Sequence, residues 1–188
     1  MDAIRFEAFG PLHAGGLEIK KGGVDPSGVG LFTTLARSAG DPIGFYAGTP
    51  KSKVTRIEEE FSIEIPGFDL VVVPPLLDVG GAVDFEAFPM AAANEPPEGQ
   101  HSNMVLVADR LYDLKDRTFT VLAFYASTEI QPHTELTWHY GTRFNRDYTV
   151  GIPSTAQFDI HMTMPRLERL LAHRPDAIFD LRQLELAL

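Results

Sequence analysis

Alternating apolar and polar positions recur along most of this chain, and the period of two predicts a series of short β-strands. The strands are expected over residues 17–21, 30–34, 43–46, 61–65, 69–73, 104–112, 118–126 and 136–140. Segment 113–117 is predicted to join the two longest of these strands as a hairpin. Gly22-Gly23 and Asp25-Pro26-Ser27-Gly28 are typical of turns, so the chain is expected to reverse in this region.

Helical spacing is confined to a few segments. The polar segment 52–60 fits one or two helical turns, and segment 83–93 has helical composition with aromatic and apolar residues near one face. Segments 165–173 and 176–186 carry leucines at helical spacing, and Pro165 is typical of a helix start. We therefore predict a β-rich α+β fold, with a domain over residues 1–150 and a helical tail over residues 151–188.

The charge balance is acidic and bears on the choice of partner. The chain has 188 residues and a formal net charge of −10 at pH 7. A solvated acidic surface is the ordinary explanation, and attraction of a Lys/Arg-rich peptide is the functional one. Direct binding to nucleic acid is disfavoured, because phosphate contacts need a basic face and no Lys/Arg cluster with interleaved aromatics is present.

Residue usage also limits metal chemistry and location. The chain contains no cysteine, so neither a disulfide nor a thiolate zinc site can form. Its histidines do not fall at the spacing of zinc ligands, and we expect no metal site. Residues 1–10 lack the apolar core of a signal peptide, and no apolar run is long enough to span a membrane. We expect a soluble intracellular protein, cytoplasmic or nuclear.

Four short segments carry candidate chemistry, although each also has an ordinary structural explanation. A Gly-x-Gly stretch is most often a tight turn, an asparagine is often a helix cap, and a tyrosine in a strand is often buried. In chain order the segments are Gly28-Val29-Gly30-Leu31-Phe32, Phe45-Tyr46-Ala47-Gly48, Asn94 with His101-Ser102-Asn103, and Glu135-Leu136-Thr137-Trp138-His139-Tyr140-Gly141. The first lacks the strand–turn–helix setting of a dinucleotide-binding fingerprint.

In this order and spacing, the four segments resemble the SET domain, the fold of one class of S-adenosylmethionine-dependent lysine methyltransferases. The resemblance covers roughly residues 17–150. It implies a fold of several small sheets, S-adenosylmethionine as the cofactor and a protein lysine as the substrate. Because the chain has no cysteine, it lacks the cysteine-rich zinc modules that flank many SET domains. The chain departs from the family pattern at Glu95, which stands where the family usually has a histidine.

The resemblance also implies roles for single residues. The cofactor-binding candidates are Gly28, Val29, Gly30, Asn94, Glu95 and Tyr140. Tyr140 stands at the position of the family's catalytic tyrosine, and Tyr46 stands at an aromatic position that helps line the lysine channel, so both are candidate catalytic residues. The remaining channel candidates are Leu106, where some relatives carry a tyrosine, and Phe158, which follows the last segment and either closes the channel or packs the tail.

The chemistry explains why such a site needs tyrosines and asparagines rather than a His–Asp pair. Methyl transfer from a sulfonium requires a neutral, aligned amine, although a free lysine has a pKa of about 10.4. A narrow aromatic channel favours the neutral amine by desolvating it, and it aligns nitrogen, methyl carbon and sulfur. Hydroxyl and carbonyl oxygens can hold the polarised methyl group through weak C–H···O contacts.

Two other functions stay open at this point. A SET-like fold without catalysis could serve as an interaction module, since the family's Asn-His pair is lost. Alternatively, a compact SET-like enzyme could act on a small-molecule amine. For the leading hypothesis, the expected partner is a basic, histone-like protein substrate, without nucleic acid or membrane. The leucine-rich tail is expected to pack on the core or to form a homodimer contact.

Overall fold

The structure, a computed structural model, describes residues 15–46, 48–64, 71–74, 76–77, 82–112, 118–140 and 147–149. Its elements in chain order are β1 (Leu17–Gly22), β2 (Asp25–Thr33), β3 (Pro42–Phe45), β4 (Thr49–Lys51), α1 (Arg56–Glu59), β5 (Ile63–Glu64), β6 (Val71–Val73), a 3₁₀ helix (Pro89–Ala92), β7 (Met104–Tyr112) and β8 (Thr118–Ala126). The predicted helical tail and Phe158 lie outside the described residues.

The described strands form three small antiparallel sheets. Strands β1 and β2 make a two-stranded sheet, and the other two sheets have the strand orders β3-β8-β7 and β4-β6-β5. Strands β7 and β8 pair along their whole length, from Met104 opposite Ala126 to Tyr112 opposite Thr118. The predicted pairing of these two long strands and the β-rich architecture with few helices are therefore confirmed.

Two predicted elements are wrong, each for a local reason. Of the two predicted turn segments, residues 25–28 belong to β2, whereas the chain does reverse at Gly23 and Val24, where Gly23 has φ +87°. The predicted helix over 83–93 is reduced to the 3₁₀ helix, with irregular turns before it. Pro89 begins that short helix because it has no N–H to donate and disfavours helical geometry at Phe88, whose φ is −128°.

The predicted strand over 136–140 is also absent as a regular strand. This segment makes isolated bridges only, between Phe32 and Glu135 and, in parallel, between Asn94 and Thr137. It nevertheless runs through the core, because Leu136 is fully buried and its N–H donates to the Leu31 carbonyl at 2.7 Å. The segment thus lies between β2 and the chain that follows the 3₁₀ helix.

One apolar core joins the three sheets. Its fully buried members come from different elements, so that burial itself holds the sheets together in a chain without cysteine. These residues are Leu31, Ile43, Val72, Met104, Phe124 and Leu136. None of the helices in the described ranges is long and apolar enough to cross a membrane.

Helix α1 is short and depends on its N-terminal cap. The Thr55 hydroxyl accepts a hydrogen bond from the Glu58 N–H at 3.4 Å, and the Glu58 carboxylate accepts from the Thr55 N–H at 2.8 Å. This reciprocal pair is a capping box. The Glu58 carboxylate also pairs with the Lys51 ammonium, which ties the helix to β4.

Acid should weaken this part of the fold through Glu58. The hydrogen bond from Lys51 is the main cause that lowers the pKa of Glu58 from 4.5 to about 2. Because the pKa is lower in the folded chain, Glu58 contributes stability fully above about pH 4.5 and loses it as the pH falls towards 2. Urea unfolding should therefore show a larger wild-type advantage over Glu58→Gln at about pH 6.5 than at about pH 3.

Glu59→Gln is the matched control, since Glu59 lies in the same helix outside the capping box. An advantage of the wild type over Glu58→Gln that stays equal at the two pH values would contradict the role assigned to this carboxylate.

Candidate functional site

A pocket of about 160 Å³ lies where several separate stretches of the chain meet. Val29 of β2 forms part of its wall, and residues 90–94 and 59–63 form two other sides. The remaining lining residues are Tyr46, Phe85, Trp138 and Tyr140. Each of the four sequence segments singled out above therefore contributes to one pocket, through Val29, Tyr46, Asn94 and Tyr140.

The Tyr140 side chain is fixed at its hydroxyl end. Its hydroxyl donates to the Ala93 carbonyl at 3.0 Å, and the Trp138 indole N–H donates to the same oxygen at 3.2 Å. The rings of Trp138 and Tyr140 lie 5.0 Å apart, tilted by 52°. A single backbone carbonyl thus anchors two aromatic side chains of the pocket wall.

Both pocket tyrosines stay protonated over the physiological range. Burial raises the pKa of Tyr140, and the nearby Glu95 carboxylate and Tyr148 raise it further. Burial likewise raises the pKa of Tyr46, with a smaller contribution from Tyr140. The two hydroxyls can therefore donate and accept hydrogen bonds, and neither acts as a tyrosinate base near neutral pH.

Tyr46 anchors another part of the pocket wall. Its hydroxyl donates to the Phe61 carbonyl, and its backbone N–H donates to the Leu122 carbonyl at 2.8 Å. The side chain is buried against the ring of Phe124, with ring centroids 6.3 Å apart. Tyr46 consequently joins the β3–β8 sheet to the segment after α1, which carries Phe61 into the pocket lining.

Asn94 connects the glycine-containing strand to the last segment. Its side-chain amide donates to the Val29 carbonyl and to Glu135 Oε1, both at 2.9 Å. Its backbone carbonyl accepts the Trp138 N–H at 3.0 Å. The side-chain amide hydrogens of Asn94 are thereby directed at acceptors on two other segments, and Asn94 itself lines the pocket.

Glu135 fills a space that two glycines leave open. Its Oε2 accepts the Val24 N–H at 2.6 Å, and its Oε1 accepts from Asn94. A Cβ at Gly30 would lie less than 3.0 Å from the Glu135 carboxylate, and so would a Cβ at Gly23. Gly30, which the sequence suggested for cofactor binding, therefore has a further structural reason to be glycine.

Asn103 holds the last segment from the other side. Its side-chain N–H donates to the Glu135 carbonyl at 2.8 Å, and its side-chain oxygen accepts the Thr137 N–H at 2.9 Å. This pair of bonds mimics a strand pairing in a segment that has no regular strand. The second asparagine of the motif is thus a scaffold for residues 135–137.

Glu95 is buried beside the pocket rather than within its lining. It is 4% exposed, and its Oε1 accepts the Tyr140 N–H at 2.8 Å. Its Oε2 accepts the Tyr148 hydroxyl at 3.3 Å. The Glu95 side chain therefore contacts the backbone of Tyr140.

The structure also shows pocket residues that the sequence analysis did not select. Trp138, Phe61, Phe85 and Met90 line the pocket together with the selected residues. The only sequence signal for Trp138 is its place two residues before Tyr140. Leu106 packs against the apolar core and is not among the described residues that line the pocket.

The chain is similar in fold to SET domains of known structure. The Neurospora SET-domain protein DIM-5, a histone lysine methyltransferase, shares 19% identity with a TM-score of 0.47, and the match covers 71% of this chain and 55% of that one. KRYPTONITE, solved with DNA, an H3 peptide and SAH, shares 20% identity with a TM-score of 0.46 over 72% of this chain and 25% of that one.

A humanised Chaetomium thermophilum Polycomb Repressive Complex 2 bound to an inhibitor shows the same likeness, with 15% identity and a TM-score of 0.48 over 69% of this chain and 15% of that one. No family model matches the chain, and no curated protein matches it.

The contact between Gly30 and Glu135 can be tested by a double-mutant cycle. Gly30→Ala should destabilise the protein by about 1–3 kcal/mol, because the new methyl group meets a held carboxylate. The same substitution in a Glu135→Ala background should cost less, since the carboxylate is gone. Urea unfolding of the four proteins should give a coupling energy of about 1 kcal/mol or more. Additive effects of the two substitutions would show that Gly30 does not accommodate Glu135.

Proposed function

We propose that the protein is a SET-type methyltransferase that moves a methyl group from S-adenosylmethionine to a lysine amine of a protein. One observation carries this proposal: residues from all four motif segments, far apart in sequence, line one small pocket. The order of the segments is the order typical of the SET family, and their meeting at a pocket is what a shared active site requires.

The pocket suits a single alkylamine. Its volume of about 160 Å³ is below the roughly 300–1,000 Å³ of ordinary small-molecule sites. Its walls carry the aromatic rings of Tyr46, Phe61, Trp138 and Tyr140. Removal from water favours the neutral form of an amine, which is the form that attacks a methyl group. The size and the aromatic lining favour a lysine side chain over a whole small molecule.

The polar groups of the Gly28–Gly30 stretch and of Asn94 also fit the proposed cofactor. Candidate contacts come from the backbone of Gly28, Val29 and Gly30 and from Asn94, whose side chain already meets the Val29 carbonyl. Carbonyl and carboxylate acceptors at this edge complement the positive charges of an ammonium and a sulfonium. When bound, S-adenosylmethionine supplies the electrophilic methyl group.

The residues of the chain then have separable tasks. The lysine gives its proton to water before it enters, since the pocket tyrosines are protonated and cannot serve as bases. The Tyr140 hydroxyl donates to Ala93, so its oxygen is left to accept from the amine or from polarised C–H groups. Tyr46 fixes the wall that carries Phe61 and so restricts the direction of the amine.

The charge at the pocket supports a basic protein substrate. Glu59 and Glu60 are exposed residues of the lining, and the chain has a formal net charge of −10. Negative charge around an amine site raises the local concentration of a cationic peptide and speeds its encounter. A histone-like or other Lys/Arg-rich segment is therefore the proposed substrate class.

Calorimetry and turnover assays test the proposal directly. S-adenosylmethionine should bind the wild type with measurable heat and raise its melting temperature. Tyr140→Phe should keep cofactor affinity within about threefold and lower kcat by about 10²-fold or more, because a preorganised hydroxyl at the reacting amine is removed.

Tyr46→Phe is the paired variant. It removes the hydrogen bond to the Phe61 carbonyl without changing Tyr140, so KM for a basic peptide should rise more than kcat falls. Absence of both binding heat and thermal shift in the wild type would overturn the cofactor assignment. Full turnover by Tyr140→Phe would remove Tyr140 from the mechanism.

A further inference from the structure

Three consecutive residues, 93–95, form three hydrogen bonds with Tyr140 and Trp138. The Ala93 carbonyl accepts the Tyr140 hydroxyl, and the Asn94 carbonyl accepts the Trp138 N–H. The Glu95 carboxylate accepts the Tyr140 backbone N–H at 2.8 Å. The tripeptide therefore fixes both the backbone and the hydroxyl of Tyr140, which lie at opposite ends of this residue.

The hydrogen bond from the Tyr140 N–H to the Glu95 carboxylate is stronger than an ordinary backbone hydrogen bond. Its carboxylate is buried, and burying a carboxylate costs free energy unless hydrogen bonds compensate. A hydrogen bond from an N–H to a buried carboxylate is shorter and stronger than one between neutral groups. A side chain that bonds to the backbone N–H of Tyr140 sets the position of its Cα, which the hydroxyl contact alone does not define.

The same carboxylate reaches a second segment. Its Oε2 accepts the Tyr148 hydroxyl at 3.3 Å, and the Gly99 N–H donates to the Thr149 carbonyl at 2.8 Å. The described segment 147–149 is therefore attached twice to the loop that follows Asn94. The Glu95 carboxylate therefore bonds both to this segment, through Tyr148, and to the backbone of Tyr140.

We propose that Glu95 is a positioning residue: it holds the backbone of Tyr140 so that the Tyr140 hydroxyl meets the amine, and it links segment 147–149 to that geometry. The kinetic part of this inference rests on the methyltransferase proposed above. The positional part concerns the protein alone. Glu95 acts through Tyr140 and, on this view, makes no contact of its own with the amine.

Variants of the full chain separate position from charge. Glu95→Ala removes the carboxylate that accepts from Tyr140 and Tyr148, whereas Glu95→Gln keeps an oxygen that can accept the Tyr140 N–H. With S-adenosylmethionine and a Lys/Arg-rich peptide, Glu95→Ala should lower kcat by about 10- to 100-fold, as expected for a small displacement of a catalytic group. KM for the peptide and the dissociation constant of the cofactor should stay within about threefold. Glu95→Gln should restore most of kcat.

Two further proteins complete the set. Glu98→Ala is the matched control, because Glu98 is an exposed carboxylate in the same loop, and it should behave as the wild type. Tyr148→Phe removes the hydroxyl that donates to Oε2 and leaves the bond from Glu95 to the Tyr140 N–H, so it should lower kcat less than Glu95→Ala does. Equal losses of kcat in Glu95→Gln and Glu95→Ala, or a loss confined to KM, would overturn the positioning role.

A readout independent of turnover distinguishes this inference from the function it rests on. Trp138 is the single tryptophan of the chain, and its ring lies 5.0 Å from that of Tyr140. Displacement of Tyr140 in Glu95→Ala should therefore shift the fluorescence emission of Trp138, while Glu95→Gln and Glu98→Ala should leave it unchanged.

If the wild type neither binds the cofactor nor turns over but Glu95→Ala shifts the emission, the proposed function fails and the positioning of Tyr140 stands. An unchanged emission in folded Glu95→Ala overturns the positioning of Tyr140. If Glu95→Ala does not fold, Glu95→Gln and Tyr148→Phe decide by the same emission and kcat measurements, with a loss of kcat in Glu95→Gln contradicting the inference.

Discussion

The carboxylate of Glu135 is the contact on which the arrangement of the site depends. It accepts hydrogen bonds from the Val24 N–H and from the Asn94 side chain, and it occupies the space beside Gly30. These partners belong to the β1–β2 turn, the chain after the 3₁₀ helix and strand β2. Without a carboxylate acceptor at this point, the three segments would lack a common group, and the hydrogen bond from Asn94 to the Val29 carbonyl would have no link to the β1–β2 turn.

The segment that carries Glu135 is itself held by side chains as well as by backbone hydrogen bonds. Residues 135–140 make isolated bridges instead of a strand ladder, so their backbone groups need other partners. Asn103 supplies two of these bonds and the Glu95 carboxylate supplies one to Tyr140. Such a segment can pass through the middle of the fold without belonging to a sheet, which is how Trp138 and Tyr140 reach a pocket between sheets.

Packing has to provide the remaining rigidity, since the chain has no cysteine. The fully buried Leu31 and Leu136 place β2 and the 135–140 segment in the same apolar core. The ring of Phe124 in β8 meets the ring of Trp138 at 5.2 Å, so the long hairpin also supports the pocket wall. Stability and site geometry therefore depend on the same side chains, and a core substitution at Phe124 would disturb both.

Several strands and four pocket residues could be predicted from the sequence, the strands from local alternation and the pocket residues from the order of the motifs. Alternation was enough for β7, β8 and β1 because strand periodicity is a local property of residues that are half-buried. The order of the four segments was enough to select Val29, Tyr46, Asn94 and Tyr140, which the fold brings to one pocket.

Only the tertiary structure decided the rest, because it depends on groups distant in sequence. Val24 and Glu135 are 111 positions apart, so no local pattern could show that a glycine pair leaves room for that carboxylate. Apolar composition suggested a helix over 83–93, but Pro89 and the bridge from Val83 to Leu76 impose a different backbone. The sequence alone identified Glu95 as a departure from the family pattern, and the contact with Tyr140 appeared only when the folded chain brought residues 45 positions apart together.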